Sequence, residues 1–161
     1  MPANFNLPFV LSVVGAFLTS AVVAATYVWP ALRALPYYEA LRLLAAFHAF
    51  RFLGMNFMVA GFVSPKLSSD FASKIGWGDL IAAVLALLSM AALSWRWPIA
   101  IPLVWIFNIW GTLDLLNAYY MGVKLGDPGQ FGAGIYIPAL YVPLLLVSHV
   151  LVFMILLKPG P

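Results

Sequence analysis

The sequence predicts an all-α integral membrane protein, a bundle of five transmembrane helices with a short interfacial helix between the second and the third. Composition is the first reason: 65% of the residues are hydrophobic and 8% charged, with a mean hydropathy of +1.02, far from a soluble domain. Spacing is the second, since apolar stretches at residues 7–29, 38–63, 77–95, 98–122 and 135–158 each approach or exceed the roughly 20 residues that cross a bilayer. Aromatic placement is the third. Trp29, Tyr37, Tyr38, Trp95 and Trp97 fall where those stretches end, at the depth of an interfacial belt. Residues 1–161 therefore read as a single transmembrane domain, because no connection is long enough for a separate folded unit.

The first stretch is expected to be a retained helix rather than a cleaved signal, since MPANFN carries no side-chain charge. Ser12, Ala16, Ser20 and Ala24 recur every four residues and predict a face that a second helix approaches closely. Trp29 and Pro30 are expected to close this helix. The second stretch carries His48, Arg51 and Asn56 in its interior, whereas Glu39 and Arg42 lie near enough to its end to snorkel. After it, Leu67, Phe71 and Ile75 stand four apart among Lys66, Asp70 and Lys74, the pattern of a helix lying on the membrane surface.

The third stretch opens on Trp77-Gly-Asp79, which puts Asp79 in a first turn, where free N–H groups favour a carboxylate. Its Ala82, Ala86, Ser89 and Ala92 form another narrow packing face. A tight turn at residues 95–98 leads into the fourth stretch, which holds Asn108, Thr112, Asp114 and Asn117. The glycine-rich connection at 122–134 lacks the Lys and hydroxyl of a phosphate-binding loop and predicts a mobile segment. In the fifth stretch Pro143 frees a backbone carbonyl and predicts a kink, with His149 beyond it.

Several function classes are excluded at this level. The net charge of +3 comes from eight scattered Lys and Arg, without a basic run that could track nucleic acid. The absence of cysteine removes disulfides, thiolate nucleophiles and cysteine-held metal centres. Neither H-E-x-x-H nor G-x-S-x-G occurs, so catalysis is not expected, and no metal site is predicted.

Charges within a bilayer are costly and mark functional sites by default. At about 1.5 Å per residue from the N-terminal face, Asp79 and Asn117 come out roughly 3–8 Å deep, Asn56 and Asp114 roughly 10–12 Å, Arg51 roughly 18 Å, and His48, Asn108 and His149 roughly 21–22 Å. Arg51 cannot shed its proton, and Asp114 is its natural partner. The expected site is thus Arg51, Asp114, Asp79, Asn56, Asn117 and Asn108, binding or passing a small polar solute, ion or proton from the N-terminal side. In the first alternative, an accessory or structural subunit, the same residues only fix helix packing. In the second, a redox protein binding haem or quinone, His48 and His149 ligate a b-type haem. Otherwise no cofactor is predicted. The expected partners are the lipid bilayer, the solute and further copies in a homo-oligomer, in a bacterial inner membrane with the N-terminus outside and the C-terminus cytoplasmic.

Overall fold

The computed structural model describes residues 6–158, which contain six α-helical stretches and no strand. Helix α1 covers Leu7–Ala34. Its start is fixed by Asn6, whose side chain accepts the Phe9 N–H at 3.1 Å. The helix does not stop at Pro30. A π turn over Ala24–Val28 precedes the proline, and the Trp29 N–H reaches back five residues to the Ala24 carbonyl. The widened turn takes up the ring and the missing N–H that would break regular α geometry. The helix ends instead at Leu35, which takes the extended conformation favoured before a proline, here Pro36.

Helix α2 runs from Tyr37 to His48 and continues without a break as a ten-residue 3-10 helix, Ala49–Met58. Three residues per turn bring i and i+3 into line. Accordingly His48, Arg51, Gly54 and Phe57 form one buried stripe, while Phe50, Phe52 and Leu53 face outward.

Helix α3, Ser69–Ser94, corrects two expectations. The surface helix expected between the second and third stretches is the beginning of α3 itself, capped by Ser68, whose hydroxyl accepts the Phe71 N–H. Asp79 consequently sits in the third turn rather than the first, about 15 Å along the helix, where the backbone N–H groups are already bonded. Ala82, Ala86, Ser89 and Ala92 are each 0% exposed, which lets α3 lie close to its neighbours.

Helix α4 spans Ala100–Leu125 and ends on Gly126, whose φ of +70° is the left-handed conformation that glycine supplies at a helix terminus. The following segment, Pro128–Ile135, is a packed 3-10 turn and not a loose loop. Phe131 is buried, the Ser64 N–H donates to the Gln130 carbonyl, and the Ala133 N–H donates to the Phe62 carbonyl, both at 3.1 Å. Gly132 makes this closeness feasible, because a Cβ there would lie 3.0 Å from the Phe62 oxygen. Helix α5, Ile137–Leu156, begins with a second π turn, Ile137–Tyr141, again just before a proline.

Four of these helices, α1, α3, α4 and α5, are long and apolar enough to cross a membrane. The Tyr37–Met58 segment changes helix type midway and is not among them, so five spans are not established by these criteria. Helix α3 packs against α2 with its 3-10 extension and against α4, while α5 lies against α4, α2 and α1. Ala16, Ser20 and Ala24 form the buried side of α1, whereas Ser12 remains exposed. One end of the bundle is filled by aliphatic side chains and Phe107, and the other by a cluster of phenylalanines. Polar residues occupy the layer between.

Candidate functional site

Arg51 lies at the centre of that layer with none of its side chain exposed. Its Nε donates to Asp79 Oδ1 at 2.8 Å and its Nη2 to Asp114 Oδ2 at 2.6 Å, with Asp79 Oδ1 also 2.7 Å from Nη2. The third branch, Nη1, donates to the Gly111 carbonyl at 3.1 Å. Three segments thus meet on one guanidinium: the 3-10 helix supplies Arg51, α3 supplies Asp79, and α4 supplies Asp114 and the carbonyl. Counted as ions, the cluster carries one cation and two carboxylates.

Three glycines make the space. A Cβ on Gly54 would run into the Asp79 carboxylate, and one on Gly78 into that of Asp114. At Gly111 it would stand 2.6 Å from His149 Nε2 and 2.8 Å from Arg51 Nη1. Any side chain at these positions would push a charged group or a ring from its place.

Behind Arg51 the polar layer continues into two histidines. His149 Nδ1 donates to Asn108 Oδ1 at 2.6 Å, and Asn108 Nδ2 donates to the His149 carbonyl at 3.3 Å, so side chain and backbone are held together. His48 Nε2 shares a 2.6 Å hydrogen bond with the Ser148 hydroxyl. The two rings are in contact, with centroids 4.0 Å apart and planes tilted by 36°, and Phe107 lies beside both. Axial ligands of a haem stand on opposite sides of an iron, and rings already in contact leave no porphyrin-sized gap. The histidine pair therefore does not fit haem in this arrangement. Among the described residues no group of three or more His, Cys, Asp or Glu is placed to hold a metal. His48 Nδ1 and His149 Nε2 are left buried without a hydrogen-bond partner.

On the other side, Asp79 and Asp114 form the end of a cavity of about 260 Å³. It extends from Asn6, Phe9 and Pro128, at the helix ends, past Phe131, Phe71 and Ala118 to the two carboxylates. No Lys, Arg or His is among its lining residues. The cleft is thus polar at one end and apolar along its walls. Tyr119 also lines it, and its hydroxyl donates to the Pro138 carbonyl at 2.8 Å. That bond has a local cause: in the π turn the Val142 N–H reaches back to Ile137, and the next N–H in that register would be that of Pro143, which has none. The carbonyl freed is that of Pro138, five residues back rather than four, and Tyr119 satisfies it.

Of the expected site residues, Arg51, Asp79 and Asp114 are brought together. Asn108 is buried but serves His149, away from the cavity. Asn117 is exposed on α4, and Asn56 is half-buried outside the cavity lining. The sequence reading missed Gly54 and Gly78, because their importance comes from what another helix presents to them. It also missed Ser148, which stands beside His149 and looks like an ordinary small helix residue.

A family profile described as a domain of unknown function, DUF8737, matches residues 8–157. The chain belongs to this family. The DUF8737 match covers every helix described above apart from the first residue of α1, and so takes in the arginine, both carboxylates, the three glycines and the histidine pair. Comparisons with curated proteins and with solved structures give no match.

Proposed function

We propose that this protein is a five-span membrane protein whose cavity binds a small solute or ion at Asp79 and Asp114. The observation carrying the reading is the combination of an apolar-walled cavity with two carboxylates at its end, whose shared arginine is wholly buried behind them. Burying ions in this way carries a desolvation cost, and ionisable residues retained within apolar helices mark a functional site by default. Binding is favoured over passage by what lies beyond. Past the histidines the bundle is closed by Leu41, Leu44, Val104, Phe107, Leu151 and Val152, all buried, so the cavity is a dead end.

The fifth span is the Tyr37–Met58 segment. About 18 Å of α-helix followed by about 20 Å of 3-10 helix exceeds the roughly 30 Å hydrocarbon thickness. Its outward Leu43, Phe50, Phe52 and Leu53 suit lipid. Five crossings put the termini on opposite faces, and Arg33, Arg42, Arg96 and Lys158 on the C-terminal side favour that side as cytoplasmic.

Because the chain has no cysteine, access to the cavity can be read by single substitutions. Ala118→Cys, in the cavity wall, should react with a small water-soluble thiol reagent added from the N-terminal face. Val104→Cys, in the closed half, should not. An unreactive Ala118→Cys in a folded protein would remove the ligand-site reading.

A further inference from the structure

We propose that the natural occupant of the cavity is an organic monocation with an apolar body, its ammonium or guanidinium head at Asp79 and Asp114 and its hydrocarbon against the phenylalanines. This rests on the reading of the cavity as a ligand site and goes on to name the ligand class.

Charge is the first argument. Two carboxylates share one arginine, so one negative charge is uncompensated, and no basic side chain lines the cavity. One bound monocation neutralises the cluster, whereas an anion would double the imbalance. Hydrogen-bonding capacity is the second. Arg51 is 0% exposed and directs its donors at the carboxylates and the Gly111 carbonyl, so a ligand does not reach them. What it meets is acceptors. Asp79 Oδ2 and Asp114 Oδ1 each have no hydrogen-bond donor among the described residues, and Asp79 is nine-tenths buried, with 9% of its side chain exposed. Among the residues lining the cavity the one hydroxyl, that of Tyr119, is already committed to Pro138, and the buried, unpaired hydroxyl of Tyr141 lies outside that lining. A carbonyl head such as a quinone's would face oxygen without a donor, while an ammonium head supplies donors and charge together.

The walls are the third argument. Phe9, Phe57, Phe71 and Phe131 all line the cavity and form one cluster, with ring centroids 5.9–6.5 Å apart in the contacting pairs. Aromatic faces are electron-rich and favour a cation passing over them, and they also shelter hydrocarbon. Acceptors at the end and π faces along the sides discriminate in the same direction.

The test uses the full chain in nanodiscs of phosphatidylglycerol and three probes of matched shape: phenethylammonium, phenethyl alcohol and phenylacetate. Phenethylammonium should bind at least tenfold more tightly than the alcohol, and phenylacetate should show no saturable binding. Ala118→Phe, which fills the cavity without touching a charge, should abolish the saturable component. Asp79→Asn, checked for retained helicity, should bring the ammonium and alcohol affinities together. If alcohol and ammonium bind equally and Ala118→Phe removes both, the cavity is a ligand site and the cation assignment is wrong. If none of the probes binds, the assignment is likewise overturned, and the reactivity of Ala118→Cys decides separately whether the ligand-site reading survives.

Discussion

Arg51 owes its position to what surrounds it as much as to its own charge. A lone guanidinium deep in a bilayer costs several kcal/mol, and here it is met by two carboxylates and a carbonyl brought close by three glycines. Arg51→Leu leaves both carboxylates without their cation and should cost about 3–5 kcal/mol, whereas the exposed Arg33→Leu should stay within about 0.5 kcal/mol. Equilibrium unfolding of the two variants checks this. The neutral triple variant Arg51→Leu, Asp79→Asn, Asp114→Asn should regain much of the stability yet bind no cation. If it still bound one, the cluster would be a packing device. The glycines allow a similar comparison: Gly111→Ala must displace His149 or Arg51 and should cost about 1–3 kcal/mol. Gly15→Ala, with nothing within 4 Å, should be neutral or stabilise by up to about 1 kcal/mol. At this scale the sequence was partly readable. Arg51 and Asp114 stood out as charges in apolar stretches, while the glycines had no such contrast.

The helices depart from ideal geometry where the sequence gives a reason, though the reason is local and easily misjudged. Pro30 and Pro143 each follow a π turn, so Pro30, which reads as a helix end, is instead accommodated by a wider turn within a continuous helix. The second of these leaves the Pro138 carbonyl to Tyr119. Tyr119→Phe should therefore cost about 0.5–1.5 kcal/mol, as expected for losing a hydrogen bond to a partly buried acceptor. In a Pro143→Ala background, where a backbone N–H is restored, the cost should fall to less than half, and a double-mutant cycle measures that coupling. Asp79 was misplaced along its helix for a comparable reason: a Trp-Gly-Asp sequence resembles a helix start, yet Ser68 caps α3 eleven residues before Asp79. The 3-10 helix did leave a trace, in the spacing by threes of His48, Arg51, Gly54 and Phe57. Read with a 3.6-residue period, that spacing drifts around the helix and its meaning is lost.

For the whole molecule, composition was enough to show a helical bundle with helices apolar enough for a membrane, because burial in lipid leaves few other ways to satisfy a backbone. The number of crossings depends on the one segment that mixes helix types, and labelling can count it. With five crossings, Arg33→Cys and Arg96→Cys should react with an impermeant maleimide on one face and Lys66→Cys on the other. Arg33→Cys and Lys66→Cys reacting on the same face would remove the span between them. The segment's geometry also has a mechanical meaning. Ten residues rewound from three to 3.6 per turn shorten by about 5 Å, and over the nine steps from His48 the far end turns by about 180°. Such rewinding would work as a screw. It would swing Phe57 from the cavity wall to the opposite side of its helix and draw in the chain that follows, which is tied through Phe62 and Ser64 to Gln130 and Ala133 at the mouth.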